Sequence, residues 1–380
     1  MITGGTPATT KNEYWDNGDI PWLQSGCCQN CDVNKAERFI TQSGYDNSNT
    51  KMMLPGTVMI ALTGATAGKV GYLNIEACGN QSITGILPCD TMNSRYIFYY
   101  LLSKREKILQ DCIGGAQPHI SQGYVKKIPI PIRSLVEQEK IVENLSIIKK
   151  IISQKNREQS LMDDLIQARF VEMFGDPRTN PFGWEKHRLE EYIEFLTSGS
   201  RGWAKYFVDE EKDLFITIKN VKGNHISLDN IQYIDAPDNK EAKRTKVQTG
   251  DLLISITADL GRTGVIDKDI AEKGAYINQH LSLVRLDQLR INPLYVSFFL
   301  ESEGGKKQFD SKNQKGVKAG INFDAIKSLE ILVPPKELQE TFVNFVRQTD
   351  KSKLALRSLH TFLTLYELHI LSNNLTFEKF

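Results

Sequence analysis

The chain carries an internal repeat with a period of about 200 residues, and this repeat limits the possible folds more than any other feature. The segment Pro55–Leu73 (PGTVMIALTGATAGKVGYL) matches Thr249–Asp267 (TGDLLISITADLGRTGVID). Each predicts a glycine turn, a strand of alternating apolar residues, and then a second turn and strand. The tetrapeptide NQSI at Asn80–Ile83 likewise matches NQHL at Asn278–Leu281. Two similar globular units are therefore expected within the 380 residues.

Both copies end in the same junction, in which a strand is followed by prolines and a long helix. The junctions are KIPIPIRSLVEQEKIVENL at Lys127–Leu145 and LEILVPPKELQETFVNFV at Leu329–Val346. Proline cannot continue a strand ladder and is well tolerated near the first turn of a helix. Upstream of the junctions, Ser94–Ile108 and Asn292–Lys307 each predict an amphipathic helix. The pattern predicts an α/β (α+β) fold with globular domains at 1–133 and 175–334, and with long helices at 134–174 and 335–380.

Apolar residues recur at alternating steps of four and three along both long helices, which is the pattern of a coiled-coil seam. A polar stretch at Ser153–Ser160 interrupts the pattern in the first helix. We expect the helices to pair antiparallel and to separate the two domains, since a helix of roughly 35–40 residues spans ~55 Å. The predicted seam comprises Ile141, Leu145, Ile148 and Ile152, followed in the second helix by Leu338, Phe342, Phe345, Thr349, Ser352, Leu356, Leu359, Leu363, Tyr366 and Ile370.

The two copies differ in how they begin. Phe174–Trp184 is dense in turn residues and predicts a linker, after which the second copy opens with EKHRLEEYIEF. The first copy has no counterpart of that lead-in, because ITGGTP at Ile2–Pro7 matches LTSGSRG at Leu196–Gly202 directly. The first unit is therefore expected to start within an element of secondary structure, as though its first strand or helix were absent.

Composition excludes several classes of protein. With 47 Lys+Arg and 46 Asp+Glu the net charge is only +1, whereas a protein that holds nucleic acid alone is usually more basic. Local basic faces, or a partner that supplies positive charge, remain compatible with this balance. No signal peptide and no membrane span are predicted, so the six cysteines indicate reduced thiols and a cytoplasmic protein. Cys28 and Cys31 have zinc-ligand spacing but lack a second pair, so no metal is expected.

Two stretches resemble catalytic motifs but lack essential residues. GATAGKV at Gly64–Val70 is one residue shorter than a phosphate-binding loop, and Val70 stands where magnesium binding needs a hydroxyl, so a β-turn is favoured. TNPFG at Thr179–Gly183 lacks the second proline of the Asn-Pro-Pro-aromatic loop of DNA methyltransferases, so a linker turn is favoured. We expect neither catalytic residues nor a bound cofactor.

A polar or basic loop precedes each junction, at Gly114–Lys127 and Lys306–Gly320. Glycine and lysine suit a phosphate backbone, and amides and imidazoles can bind base edges, although a solvated loop is the alternative. Thr197–Phe207 interleaves cations with aromatics, and there Trp203 and Phe207 could equally be core residues. The candidate DNA-contacting residues are Thr63, Gln81, Gln117, His119, Lys126, Arg201, Lys205, Tyr206, Arg262, Gln279, His280, Lys312, Gln314, Lys315 and Lys318.

Four stretches together resemble a known family. They are GGTPATTKNEYWDNGDIPWLQSG (Gly4–Gly26), IPIPIRSLVEQEKIV (Ile128–Val142), SGSRGWAKYF (Ser198–Phe207) and ILVPPKELQETFV (Ile331–Val343). With the long helices included, essentially the whole chain is similar to the specificity subunit of type I restriction–modification enzymes.

The resemblance implies that each unit is a target recognition domain for one half of an asymmetric, bipartite site in double-stranded DNA. The paired helices would fix the spacer, with a footprint of order 15 base pairs. They would also dock two methyltransferase subunits, and restriction/translocase subunits would join for cleavage. S-adenosylmethionine would be bound by the partner, and no membrane is involved. The residues implied in docking or helix pairing are Glu137, Gln138, Ile141, Leu145, Ile148, Ile152, Leu338, Gln339, Phe342, Phe345, Leu356, Leu359 and Leu363.

Two other functions remain open at this point. A coiled-coil adaptor that binds only proteins would tolerate replacement of Lys312, Lys315 and Lys318 by glutamate. A methyltransferase in its own right would bind S-adenosylmethionine, which the lack of a cofactor loop argues against.

Overall fold

The computed structural model describes residues 1–112, 118–257, 259–313 and 320–374, with side chains described up to residue 371. The chain forms two compact units, which we call unit 1 (residues 1–157 and 356–380) and unit 2 (residues 158–355). Each unit combines helices and sheets, as the predicted fold class requires. In the part of the chain that is described, no helix is both long and apolar enough to cross a bilayer.

Unit 1 contains a five-stranded sheet of order β1-β9-β6-β7-β3 and a four-stranded sheet of order β4-β2-β8-β5. The pairs β2·β8 and β3·β7 are parallel, and the other pairs are antiparallel. The elements are β1 (Ile2–Thr3), β2 (Ile20–Leu23), β3 (Cys31–Val33), β4 (Arg38–Ile40), α1 (Gln42–Asp46), β5 (Met52–Met53), β6 (Val58–Ala61), β7 (Val70–Leu73), β8 (Ala77–Gly79), β9 (Ile83–Ile86), α2 (Ser94–Ser103), α3 (Arg105–Gln110), α4 (Gln122–Lys126) and the first part of α5 (Leu135–Phe174).

Unit 2 contains two four-stranded sheets, β11-β20-β17-β18 and β12-β16-β13-β19, and the strand pairs β10-β21 and β14-β15. Its elements are β10 (Glu185–Arg188), β11 (Ile193–Ser198), β12 (Phe207–Val208), β13 (Asp213–Ile216), β14 (Val221–Lys222), β15 (His225–Ile226), β16 (Gln232–Ile234), α6 (Lys240–Thr245), β17 (Leu252–Ser255), β18 (Thr263–Val265), α7 (Lys268–Lys273), β19 (Ala275–Ile277), β20 (Leu281–Leu286), α8 (Pro293–Glu301), α9 (Glu303–Lys312), α10 (Phe323–Lys327), β21 (Glu330–Val333) and the first part of α11 (Lys336–Asn374).

The predicted repeat is confirmed at the level of topology. The strand order β1-β9-β6-β7 in unit 1 corresponds to β11-β20-β17-β18 in unit 2. The triplet β4-β2-β8, with one antiparallel and one parallel pair, corresponds to β16-β13-β19. Among the described residues, unit 1 has no strand equivalent to β10, which pairs with β21 in unit 2. The repeats therefore share two sheets and differ at this strand.

The helix that covers the main sheet in each unit differs from the prediction in two ways. It is broken, at Lys104 between α2 and α3 and at Ser302 between α8 and α9. It is also buried on all sides, because Tyr96–Leu101 and Tyr295–Leu300 are each six consecutive buried residues. In unit 1 this helix lies in one core with strand residues such as Val58 and with α5 residues such as Leu145. A helix with neighbours on both faces has no need of a polar stripe.

Within unit 1, the first part of α5 packs antiparallel against the last part of α11. Ile141, Leu145 and Ile148 are buried, and they share a core with Ile370 and Leu371. Towards the middle of α5, Lys149 Nζ lies 3.8 Å from Glu367 Oε1, and Ile152 and Leu363 are half-buried against the same core. Burial lowers the pKa of Lys149, and Glu367 opposes that shift.

Unit 2 contains the corresponding contact between the last part of α5 and the first part of α11. The rings of Phe170 and Phe174 each lie 5.4 Å from that of Phe342, and Ile166 and Val346 are buried beside them. Lys353 Nζ lies 2.6 Å from Asp163 Oδ1, which fixes the same antiparallel direction. Continuous pairing of the helices between the domains stays a prediction, as do the domain boundaries.

The predicted seam of α11 agrees with the structure at seven positions, which are buried or half-buried: Leu338, Phe342, Phe345, Thr349, Leu356, Leu363 and Ile370. It differs at Ser352, Leu359 and Tyr366, where the inward residue is the next one along the chain, namely Lys353, His360 or Glu367. Leu359 is 40% exposed and Tyr366 is 48% exposed, so neither lies in a seam within unit 1. The prediction followed apolar residues, whereas the structure places charged residues inward and pairs them with α5.

A buried glutamine joins each long helix to the N-terminus of the covering helix. Gln138 Oε1 accepts a hydrogen bond from Asn93 N (2.8 Å), and its Nε2 donates to Arg133 O (2.8 Å). Gln339 repeats this arrangement with Asn292 N (2.9 Å) and Pro334 O (2.8 Å). Both glutamines are 0% exposed. Each glutamine therefore bonds within its own unit, and its burial leaves no exposed side chain for the predicted docking of a partner subunit.

We expect replacement of Gln339 by leucine to reduce the free energy of unfolding by about 1–3 kcal/mol, because it leaves a buried N–H and a buried carbonyl unpaired. The measurement is urea unfolding followed by circular dichroism. Gln348→Leu is the matched control, since Gln348 is an exposed glutamine of the same helix. Equal effects of the two changes would contradict this role for Gln339.

Candidate functional site

Three chain segments meet at one place in unit 1, which we call surface 1: residues 62–66, 80–82 and 118–121. Leu62 N donates to Ser82 O (2.8 Å), and Ile120 N donates to Leu62 O (2.9 Å). Thr63 and His119 form an isolated β-bridge, supported by a hydrogen bond from Gly64 N to Pro118 O (3.0 Å). The loop that leaves β6, the turn before β9 and the segment before α4 are thereby held together.

The equivalent segments of unit 2 meet in the same way at surface 2, which comprises residues 256–257, 259–262, 278–280 and 320–322. Ile256 N donates to His280 O (3.0 Å), and Ile321 N donates to Ile256 O (3.1 Å). The asparagine of each repeated Asn-Gln pair orders its turn, because Asn80 Oδ1 accepts from Ser82 N and Asn278 Oδ1 accepts from His280 N, both at 3.1 Å. The NQ repeat is thus explained by turn geometry, with the glutamine next to it available for another role.

The predicted residues of surface 1 present polar groups to solvent. Gln81 and His119 are exposed, and Thr63 is half-buried. Gln81 Oε1 accepts a hydrogen bond from Thr6 Oγ1 (2.5 Å), which leaves the amide N–H groups of Gln81 available. The structure therefore brings Thr63, Gln81 and His119 together, although 56 positions separate Thr63 from His119 in the sequence.

The predicted residues of surface 2 form a short network. Gln279 Nε2 lies 3.0 Å from His280 Nε2, and His280 Nδ1 lies 2.9 Å from Thr257 Oγ1. If the amide donates, His280 carries its proton on Nδ1 and donates it to Thr257. Gln279 Oε1 is buried without a hydrogen-bond partner in the described part of the chain. Surface 2 is therefore more internally bonded than surface 1.

A glycine lets the first strand of each unit pass close to its turn. A Cβ atom on Gly4 would lie 1.9 Å from Gly79 O, and one on Gly199 would lie 2.0 Å from Asn278 O. Gly4 N donates to Ile83 O as Gly199 N donates to Leu281 O. Gly4 is thus the counterpart of Gly199. The match of Ile2–Pro7 to Leu196–Gly202 left open which glycine is equivalent to Gly199, and the strand pairing decides for Gly4.

Arg244 is an important residue that the sequence analysis missed. Its guanidinium donates to Thr197 Oγ1, to Ser198 O (2.8 Å) and to Ser200 Oγ (3.0 Å). These bonds hold the segment that carries exposed Arg201 beside Asn278, which bridges to Ser200. No motif identifies Arg244, since the corresponding residue five positions after the N-cap of α1 is Asp46.

Arg244 also lines an open cleft of about 790 Å³ in unit 2. Lys243, Lys246 and Arg285 contribute three further cations, and Glu272 is the acidic residue of the lining. Arg285 is neutralised by the buried Asp251 through two hydrogen bonds of 2.8 Å. Lys243 is paired with Asp238 Oδ1 (2.8 Å). The cleft is linked to surface 2 through Arg244, whose hydrogen-bond partner Ser200 bridges to Asn278.

Several other predicted contact residues have structural partners. Arg262 forms an ion pair with Asp259 (3.0 Å), and half-buried Lys312 donates to Ser328 Oγ (2.8 Å). Lys205 is exposed above the ring of Tyr206, which itself packs on Trp203.

The alternative interpretation of Thr197–Phe207, in which Trp203 and Phe207 are core residues and the cations are exposed, agrees with the structure in part, and the DNA contact stays a prediction. Trp203 is core, as its alternative reading held, and lies 5.4 Å from the ring of Tyr276. Phe207, the other proposed core residue, is 39% exposed. The segment thus anchors one aromatic ring and presents Arg201 and Lys205 to solvent.

Lys126 is exposed at the end of α4. On the same helix Tyr124 donates to Asp111 Oδ2 (2.8 Å), and burial together with that bond raises the pKa of Tyr124 to about 12.

Four predicted contact residues lie outside the described part of the chain, namely Gln117, Gln314, Lys315 and Lys318. Among the described residues on either side of 314–319, Gly320 N donates to Asn313 Oδ1 (3.1 Å).

The residues predicted for docking that remain on the surface include Glu137. Its carboxylate accepts from Ser134 N (2.9 Å) and Ser134 Oγ (2.7 Å), and these bonds hold its pKa below the usual range. Glu137 therefore caps the start of α5. Leu338, Phe345 and Leu356 are half-buried.

The two motif look-alikes are turns, as predicted. Gly64–Val70 connects the antiparallel strands β6 and β7, so no helix follows it as in a phosphate-binding loop. In the linker, the amide of Asn180 is engaged with Trp184 through two hydrogen bonds of 2.8 and 2.9 Å. Within the described ranges, no group of three or more His, Cys, Asp or Glu is arranged to hold a metal ion.

Comparisons with known proteins agree with this architecture. Residues 2–161 and 181–360 match the family model "Type I restriction modification DNA specificity domain". The chain is 27% identical over 241 residues to the type I restriction enzyme MjaIX specificity subunit of Methanocaldococcus jannaschii, covering 58% of this chain and 55% of that protein. It is 29% identical over 147 residues to the EcoR124I/EcoR124II specificity subunit of Escherichia coli, covering 37% and 36%. The alignments thus span about half or less of these relatives.

Solved structures show the same fold. The type I restriction–modification S subunit from M. genitalium superposes with a TM-score of 0.58 at 14% identity, over 100% of this chain and 94% of that one. A chain from a study of complex assembly and conformational transition of the type I R-M system gives 0.59 at 18% identity, over 98% and 94%. Because both repeats match, the chain belongs to the family of type I restriction–modification DNA specificity domains.

Proposed function

We propose that this protein is the sequence-specific DNA-recognition subunit of a type I restriction–modification complex. Surface 1 binds one half of an asymmetric, bipartite site in double-stranded DNA, and surface 2 binds the other half. The chain itself is not catalytic. Methylation of adenine belongs to two methyltransferase subunits that bind S-adenosylmethionine, and cleavage belongs to restriction/translocase subunits.

One observation carries the proposal: the same three-segment backbone is built twice and carries polar side chains of the same types in different arrangements. Thr63, Gln81 and His119 come from the three segments of surface 1, where Gln81 and His119 are exposed. In surface 2, Gln279 and His280 are adjacent, half-buried and bonded to each other, and His280 is also bonded to Thr257. Amide and imidazole groups can donate to and accept from base edges in the major groove. Two unlike surfaces favour two unlike half-sites, so the whole site is expected to lack the symmetry of a palindrome.

Phosphate contacts are assigned to exposed cations near surface 2. Arg201 is held beside the Asn278 turn, Lys205 is exposed, and the cleft of Lys243 and Lys246 continues from Arg244. Such contacts position a protein on the duplex without reading its sequence. A net charge of +1 is consistent with partner subunits that supply the remaining positive charge. The adaptor alternative is not favoured, since it gives no reason for the two polar surfaces.

The proposal is tested by exchange of one DNA-recognition domain. Residues 1–130 are replaced by those of another specificity subunit, the chimera is expressed with methyltransferase subunits, and methylated adenines are mapped across the genome. We expect one half of the methylated motif to change and the other half to stay the same. An unchanged motif, or a change in both halves of the motif, would contradict the assignment of one domain to each half-site.

At the level of residues, we expect Gln279→Ala with His280→Ala to relax the motif in the half-site read by unit 2. Each lost base contact removes about 1–3 kcal/mol of discrimination. Gln81→Ala with His119→Ala should relax the other half. The readout is the same methylation map, with melting temperatures to confirm folding. Gln232→Ala is the control, since Gln232 is an exposed glutamine on β16 of unit 2, outside surface 2. If one double substitution relaxed both halves of the methylated motif, the assignment of one surface to each half-site would be contradicted.

Removal of a phosphate-contacting cation should have a different signature. For Arg201→Gln and for Lys205→Gln we expect weaker binding of all duplexes, and the slope of log K against log salt concentration should fall by about one for each change. The measurement is fluorescence anisotropy of the assembled complex at several salt concentrations. Lys268→Gln, on exposed α7, is the charge-matched control. A loss of affinity confined to one DNA sequence would instead indicate that these residues contact bases.

A further inference from the structure

Gln279 in surface 2 has only one of its two amide heavy atoms available to a ligand. Its side chain is half-buried, and the buried part includes Oε1, which has no hydrogen-bond partner in the described part of the chain. The amide Nε2 lies 3.0 Å from His280 Nε2. An amide nitrogen carries two N–H groups, so one of them remains when the other is bonded to His280. Gln279 can therefore donate to a ligand but cannot accept from it.

His280 and Thr257 hold the amide of Gln279 in this orientation. With Gln279 donating to His280 Nε2, the neutral imidazole carries its proton on Nδ1, which lies 2.9 Å from Thr257 Oγ1. Reversal of the amide would move its two N–H groups into the buried position, and unpaired N–H groups are found in protein interiors less often than unpaired carbonyls. The three side chains thus set both the tautomer of the imidazole and the polarity of Gln279.

Gln81, at the equivalent position of surface 1, has the same polarity for a different reason. Its Oε1 accepts from Thr6 Oγ1 (2.5 Å), which directs the carbonyl at Thr6 and leaves the N–H groups available. The residue of unit 2 that corresponds to Thr6, two positions after the equivalent glycine, is Arg201. Each unit therefore leaves N–H donors on the glutamine of its Asn-Gln pair, although the group that engages the amide differs.

An amide that only donates selects different bases from one that both donates and accepts. A free glutamine pairs with adenine by accepting from N6 and donating to N7. Gln279 cannot form the first of these bonds, so the amino group of adenine would be left unpaired beside it. The major-groove edges that carry acceptors without an amino group are those of guanine, with O6 and N7, and thymine, with O4. The polarity of Gln279 therefore suits these two bases.

We propose that Gln279 contacts a guanine or a thymine in the half-site of unit 2, as an N–H donor to a major-groove acceptor, and that Thr257 is the positioning residue that sets this polarity through His280. The inference rests on the proposed role in DNA recognition, and it names the class of base that surface 2 selects. Adenine and cytosine are disfavoured at this position because both present an amino group there.

The polarity is tested first without DNA. The full chain is prepared with isotope-labelled histidine, and the ring nitrogens of His280 are identified in NMR spectra by comparison with His280→Gln. We expect the neutral ring to carry its proton on Nδ1, and Gln279→Glu to move that proton to Nε2, because a carboxylate only accepts. A proton on Nε2 in the unaltered chain would mean that the amide is reversed, and it would overturn the proposal whether or not the protein binds DNA.

The class of base is tested on the methylated motif of the assembled complex. Gln279→Glu keeps the shape of the side chain and a bond with His280, but it offers an acceptor in place of a donor. We expect methylation of the original motif to fall by about tenfold or more, and the preference at one position of the unit 2 half-site to move from guanine or thymine to cytosine or adenine. Gln232→Glu is the charge-matched control, since Gln232 is exposed on β16 outside surface 2.

Two results of this experiment would overturn the inference and leave the role in DNA recognition intact. One is a motif that Gln279→Glu does not change. The other is an adenine in the original motif whose recognition is lost in both Gln279→Glu and Gln279→Ala. Failure of the proposed function is distinguishable from both, since the assembled complex would then methylate without any sequence motif, or exchange of residues 1–130 would leave the motif unchanged.

A variant of Thr257 separates positioning from direct contact. Thr257→Val keeps the shape of the side chain but removes the acceptor of His280 Nδ1, so we expect the proton to be shared between the two ring nitrogens and the unit 2 half-site to admit adenine beside its original base. Thr257→Ser retains the hydroxyl and should keep the original motif. A lower melting temperature of Thr257→Val with an unchanged motif would show a structural role alone and would overturn the assignment of Thr257 as a positioning residue.

Discussion

Each unit depends on one buried contact, the glutamine at the start of its long helix that donates and accepts a hydrogen bond at the same time. Gln138 and Gln339 join the junction before the long helix to the asparagine that caps the covering helix. The covering helix is buried on all sides, so its position is set by its neighbours. A carboxylate in the same place would lack the donor, and an apolar residue would leave two buried backbone groups unpaired.

Surfaces 1 and 2 share the same arrangement of backbone hydrogen bonds. The bonds that unite the three segments are made by backbone groups, at Leu62 and Ile120 in one unit and at Ile256 and Ile321 in the other. Side chains on the segments are therefore able to differ without loss of the architecture. Gln81 and Gln279 accordingly occupy equivalent positions but form different hydrogen bonds.

The sequence predicted the repeat, the long helices and the polar positions of the surfaces, because each depends on a local pattern. It was wrong where pairing between distant segments decides the outcome. The α11 seam takes Lys353 and Glu367 inward, since Asp163 and Lys149 of α5 neutralise them there. Gln138 and Gln339 were assigned to docking or helix pairing, and the sequence did not reveal that they are buried in contact with Asn93 and Asn292. No sequence pattern pointed to Arg244.

By itself, the sequence determined that the protein has two similar mixed domains, that each ends in a proline junction and a long helix, and that the chain belongs with proteins of this architecture. These features follow from periodicity and turn chemistry, which act over a few residues. Only the tertiary structure decided the strand register at Gly4 and Gly199, the seam of α11, and the assembly of Thr63, Gln81 and His119 into one surface. Each of those depends on which distant backbone groups bond to each other, and no short stretch of sequence encodes that choice.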